Sequence, residues 1–125
     1  MKRGVVNDDL EPRVALTFVS STGRRVVTEV VVDTAFEGFV ALPRRIVRLL
    51  RRFKRGTVRT LLADNSESRT DYYVCTVIWN GRSRNVQVLV MDGNPLLGTG
   101  LLRDHSLDIN FVPGGRVLIR PMKAQ

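Results

Sequence analysis

Val14, Leu16 and Phe18 alternate with the smaller Ala15 and Thr17. A period of two predicts a strand with one buried face. Ser20-Ser21-Thr22-Gly23 predicts a turn, and residues 25–32 (Arg-Val-Val-Thr-Glu-Val-Val-Val) predict a second strand. Its β-branched density and nearly continuous apolar end suggest burial on both faces. After a short apolar stretch from Phe39 to Leu42 the period changes. Ile46, Leu49, Leu50 and Phe53 fall at i, i+3, i+4 and i+7, which is one helical face, with Pro43 suited to its first position and Gly56 to its end. Thr57–Leu62 predicts a strand, and residues 64–68 a polar loop. Tyr72–Trp79 and Arg84–Met91 predict a hairpin joined at Asn80-Gly81, a pair that accepts the two positive φ angles of a tight turn. Asp92-Gly93-Asn94-Pro95 is a further turn, and residues 99–105 suit a short helix. Leu107, Ile109 and Phe111 alternate, Pro113-Gly114-Gly115 turns the chain, and Val117 and Ile119 bring it back. The pattern is mostly β with two helices. It predicts one domain over residues 12–122, a loosely ordered segment over 1–11 and a tail at 123–125.

Composition narrows this picture. At 125 residues and 43% hydrophobic, the chain suits one modest core and is not of disordered type. No apolar run approaches the roughly 18 residues of a spanning helix. The first nine residues lack the apolar stretch of a signal peptide, so no membrane and a cytoplasmic location are expected. One cysteine, Cys75, and one histidine, His105, exclude an intramolecular disulfide framework and argue against a zinc site. Cys75 suits a small apolar position, and His105 lacks a convincing nucleophile partner.

The formal charge of +8 first suggests nucleic acid. Seven basic residues, however, crowd into positions 44–55: Arg44, Arg45, Arg48, Arg51, Arg52, Lys54 and Arg55, with no acid among them. The rest of the chain holds 13 basic and 12 acidic groups and nearly balances. The basic side of the expected helix is either a solvated face whose arginine stems cover apolar surface or a surface for an anionic partner.

Asp33 follows Val30-Val31-Val32, where a buried strand leaves the core, and two small residues, Thr34 and Ala35, come next. Alone, Asp33 suits either a turn that satisfies backbone N–H groups or a carboxylate held at the mouth of a core. Gly98-Thr99-Gly100 lacks the third glycine and the acidic partner of a dinucleotide site.

Taken together, Val32-Asp33-Thr34-Ala35-Phe36-Glu37-Gly38-Phe39-Val40-Ala41-Leu42-Pro43, Leu61-Leu62-Ala63-Asp64 and Leu96-Leu97-Gly98 resemble the retroviral-type (retropepsin-like) aspartic proteases. The small bacterial and archaeal members are the nearest match, over residues 12 to 120. The resemblance implies a closed, mostly β barrel of the acid-protease half type, with one or two short helices, active as a two-fold homodimer and using no cofactor.

In this family peptide hydrolysis uses two Asp side chains that share one proton, because like charges a few Å apart cannot both ionise. This chain has one Asp in the required context, so the resemblance implies that a second copy supplies the other. Asp33 would be the catalytic carboxylate of each subunit. Thr34 would brace the paired loops, Ala35 stands where glycine is commonest, and Leu97 and Gly98 would pack behind the catalytic loop. The flap would lie at about Leu61 to Tyr72, with Leu62, Asp64, Asn65 and Ser66 near its tip; it is polar where the retroviral flap is glycine-rich and apolar. Phe36, Phe39 and Val90 are possible pocket walls for an extended peptide or protein substrate, and Glu37 could favour basic side chains. Two other readings stay open. One is a peptide-binding or dimerisation module of the same fold that cleaves little. The other is a nucleic-acid-binding protein that uses Arg44, Arg45, Arg48, Arg51 and Arg52.

Overall fold

A computed structural model describes residues 1–61 and 63–122. The expected tail at 123–125 and Leu62 lie outside the described residues. Ten strands and two short helices follow one another: β1 (Lys2–Val6), β2 (Pro12–Val19), β3 (Arg25–Val32), β4 (Val40–Leu42), α1 (Arg44–Leu50), β5 (Gly56–Leu61), β6 (Glu67–Trp79), β7 (Arg82–Val90), β8 (Leu96–Leu97), α2 (Thr99–Leu102), β9 (His105–Ile109) and β10 (Arg116–Pro121). The strands pair in the order β5-β6-β7-β4-β8-β3-β2-β1-β10-β9, and β6 pairs in addition with β2. None of the described helices is long and apolar enough to cross a membrane.

The period of two holds along β2. Val14, Leu16 and Phe18 are buried while Arg13, Ala15 and Thr17 are not. Together with Val30, Val40, Leu42, Val77, Val88, Leu97, Leu101 and Ile119 they form one core. Asn80 and Gly81 take φ angles of 53° and 76°, the tight turn their sequence predicts, and they join β6 to β7.

Several elements depart from expectation for reasons set outside their own sequence. The N-terminal segment is a strand of the sheet, not a loose arm. β1 lies between β10 and β2, paired to both. Gly4 permits this, because a Cβ there would collide with the carbonyl of Arg13. Val6 seals the strand into the core. β3 alternates instead of being buried on both sides: Val30 and Val32 face the core, and Val27 is 65% exposed.

The basic helix ends at Leu50, five residues before the expected boundary. The Ser21 N–H bonds the Leu50 carbonyl at 3.0 Å, and Arg51 turns into the left-handed region at φ 51°. Its buried face is therefore Val47 and Leu50, with Ile46 beside them. Phe53 falls in the following loop and is 91% exposed. Gly56 opens β5 instead of closing a helix. Likewise α2 stops at Leu102, before Asp104 at φ 64°, and β9 starts at His105, which leaves Phe111 outside it and exposed.

Candidate active site

β3 and β4 lie on either side of the two-residue strand β8. Val32 pairs with Leu97 in parallel, and Val40 pairs with Leu97 from the other side. The loop between β3 and β4, residues 33–39, is consequently pressed against the chain that follows β8. Four backbone hydrogen bonds hold the two segments. The Asp33 N–H donates to Leu97 at 2.9 Å, Gly98 to Phe39 at 3.0 Å, Thr99 to Phe36 at 2.9 Å and Gly100 to Gly38 at 3.0 Å. Buried backbone groups must find partners, and here each segment supplies them to the other.

The contact is close enough to exclude side chains. A Cβ at Gly98 would collide with the Gly38 carbonyl and lie 2.6 Å from that of Phe36. One at Gly100 would meet the same Gly38 oxygen at 3.0 Å. Gly98-Thr99-Gly100, unremarkable as a nucleotide fingerprint, therefore serves backbone packing. Its signal is a glycine pair directly after Leu96-Leu97. Thr99 adds a long hydroxyl contact to the Phe36 carbonyl at 3.4 Å. Leu97 itself is fully buried.

Within the loop, the Ala35 N–H donates to Asp33 Oδ1 at 2.9 Å, and the Phe36 N–H to the Asp33 carbonyl at 3.2 Å. This is an Asp turn of the kind that shapes a loop locally. It engages one carboxylate oxygen. Asp33 is half-buried, whereas Thr34 and Ala35 are exposed. Asp33 lines neither of two surface cavities, of about 370 and 450 Å³.

The remaining candidates divide. The Phe36 ring lies against Gly38. Phe39 and Val90 are half-buried against the core, and the Arg84 guanidinium stands 5.5 Å from the Phe39 ring centroid. Asp64, Asn65 and Ser66 form the connection of the β5–β6 hairpin, all exposed, with Asn65 at φ 67°. Asp64 Oδ1 accepts both the backbone N–H and the hydroxyl of Ser66, which holds its carboxyl below the usual range, the hydroxyl bond first. The basic cluster is partly consumed internally. Arg44 and Lys54 both pair with Asp71 at 3.2 Å, and Arg52 donates to the Val19 carbonyl and the Thr76 hydroxyl. Burial pushes the Cys75 thiol up to about 11, in keeping with a packed apolar position.

No protein-family model matches the chain, and no curated protein matches it in sequence. Its fold does match a solved structure, a retropepsin-like aspartic protease from Rickettsia conorii. That likeness has a TM-score of 0.57 and covers 94% of this chain and 89% of the other, at 16% identity. The chain has the retropepsin-like fold.

Proposed function

We propose that the protein is an aspartic endopeptidase whose active site forms between two copies of the chain. The observation that carries this reading is the Asp33 loop, clamped by four backbone bonds onto the Leu97–Gly100 segment in a retropepsin-like fold. The β2–β6 pairing supports a closed barrel behind it. Exposed Thr34 and Ala35 flank the carboxylate, as a loop that meets its symmetry mate requires.

In the dimer two Asp33 side chains share one proton. Two like charges a few Å apart cannot both ionise, so one member of the pair keeps the proton. The ionised member draws a proton from a water molecule, which attacks the scissile carbonyl carbon. The protonated member donates a hydrogen bond to the carbonyl oxygen as negative charge develops there. The Ala35 N–H occupies one oxygen of Asp33 and so orients the other. Thr34 braces the paired loops. The β5–β6 hairpin, with Asp64, Asn65 and Ser66 at its tip, serves as the flap, and Phe36, Phe39 and Val90 form apolar walls for an extended peptide.

The test is cleavage of an unstructured protein at pH 4–7 by wild type and Asp33→Asn, with mass measured by light scattering across a dilution series. Cleavage by wild type alone, falling as the dimer dissociates, is the expected outcome. Full activity in Asp33→Asn, or in a strict monomer, would overturn the proposal. A dimer that binds peptides without cleaving them would instead identify the same fold used as a binding module.

A further inference from the structure

Two arginines of the basic run, Arg48 and Arg51, meet Arg24 and Arg25 at a cavity at the other end of β3. This cavity, about 450 Å³, lies between the β2–β3 turn and the C-terminal end of α1, and Arg24, Arg25, Arg48 and Arg51 line it with no acidic residue among its walls. Among the described residues none of the four forms an ion pair. All four are exposed. We propose that this cavity binds single-stranded nucleic acid, with its phosphates in the arginine cluster and a base stacked on Phe53.

The site is pre-organised from both sides. The buried Ser20 hydroxyl accepts the N–H groups of Thr22 and Arg24 and so fixes the turn that carries Arg24 and Arg25. The Ser21 N–H on the Leu50 carbonyl ties that turn to the helix end that carries Arg48 and Arg51. Arg52 anchors the next stretch to Val19 and Thr76. The residues on either side of Arg52, Arg51 and Phe53, are left exposed. Arg51 is the left-handed cap that ends α1, its N–H on the Arg48 carbonyl.

Four guanidinium groups without counter-charges repel one another and match phosphate oxygens in paired geometry. A large aromatic at 91% exposure, two residues from Arg51, supplies a face on which any base can stack. An acidic peptide would satisfy the charge and leave Phe53 unused. A duplex keeps its bases inside and would leave Phe53 unused. Seven steps along the strand separate Arg25 from Val32, about 23 Å at strand rise, so the site is distinct from the Asp33 loop.

The test is fluorescence anisotropy with labelled oligo-dT and oligo-U of 15 nucleotides, arms that distinguish DNA from RNA. With four phosphates neutralised, the logarithm of affinity should fall with the logarithm of salt at a slope of about −3. Arg48→Ala/Arg51→Ala should weaken binding and halve that slope. Phe53→Ala should weaken binding about fivefold or more and leave the slope unchanged. Arg103→Ala/Arg120→Ala, which removes equal charge elsewhere, should change affinity less than about twofold at 0.1 M salt. Amide shifts in the wild-type protein on adding oligo-dT should cluster at residues 20–26 and 48–53, a readout that needs no variant to fold. The proposal is overturned by absence of binding at 50 mM salt, by shifts confined to other segments, or by indifference to the arginine or Phe53 substitutions. Equal affinity for a duplex, poly-glutamate or anionic lipid vesicles would overturn it too.

Discussion

The Asp33 loop and the β5–β6 hairpin are tied to the rest of the fold by different means. The loop is clamped by backbone. Four hydrogen bonds join it to the segment after β8, two glycines let the chains approach, and Leu97 beneath it is fully buried. The hairpin has its own backbone ladder, and ion pairs pin its base to the neighbouring elements. β5 stands at one end of the strand order with β6 as its partner, and its base meets α1 and the following loop through Arg44 and Lys54 on Asp71. Its connection is a polar turn built on Asp64 and Ser66. Backbone contacts packed without room for a Cβ open only when the surrounding structure opens. Exposed ion pairs contribute little and yield readily. A fixed floor and a yielding cover would suit the proteolytic site proposed for this chain.

The sharpest test of the floor is chemical. Asp33→Asn should lower peptide cleavage by about 10²- to 10⁴-fold. It should leave dimer mass and the unfolding transition close to wild type, because the Ala35 N–H retains an oxygen acceptor. A variant that lost its fold as well would make Asp33 a structural residue first, and the contrast with the hairpin would then be one of stability alone.

Next come two substitutions behind the loop. Leu97→Ala should cost about 2–5 kcal/mol in urea unfolding, as expected for emptying a fully buried site. Gly98→Ala should cost about 1–3 kcal/mol by overpacking against Phe36 and Gly38. It should also lower cleavage further than that loss of folded protein explains, because the loop that carries Asp33 must shift. Removing a side-chain contact on the hairpin, as in Ser66→Ala, should leave global unfolding near wild type. A neutral Gly98→Ala would remove the distinction between the two regions.

How far the sequence carries the structure follows the same division. The Asp33 loop is legible because its parts are local. A β-branched strand, a turn-forming Asp, Gly38 and Leu96-Leu97-Gly98 each state their conformation within a few residues. The Asn80-Gly81 hairpin is legible for the same reason. What fails is decided at a distance. Lys2–Val6 falls in the segment expected to be loosely ordered because its partners in β10 lie more than 100 residues away. Phe53 continues a helical period that the helix does not, since Ser21 from another element takes the Leu50 carbonyl. The basic run likewise conceals that Arg44 and Arg52 are spent on internal contacts while Arg24 and Arg25 join Arg48 and Arg51.

The smallest expected effect concerns how the cover responds to acid. Hydrogen bonds from Lys54, and then from Arg44, hold the Asp71 carboxyl below its ordinary value of 3.8. A carboxylate whose pKa is depressed on folding stabilises the structure above the unfolded value, and that contribution is lost as pH falls through the lowered one. The pin between the hairpin base and α1 is therefore complete above about pH 4 and fails below it. Asp64, depressed by Ser66 at the tip, fails in the same direction. The Arg55 N–H, bonded to the Tyr72 carbonyl at 2.9 Å, reports on the hairpin base, and the Asp33 N–H, bonded to Leu97, reports on the floor. Hydrogen exchange, corrected for intrinsic rates, should show Arg55 losing protection between pH 5 and 3 while Asp33 keeps its own. In Asp71→Asn, Arg55 should already exchange faster at pH 6, and its remaining pH dependence should flatten. Parallel loss of protection at Arg55 and Asp33 would mean that the hairpin and the loop open as one unit, and charge would then not be what sets the cover apart.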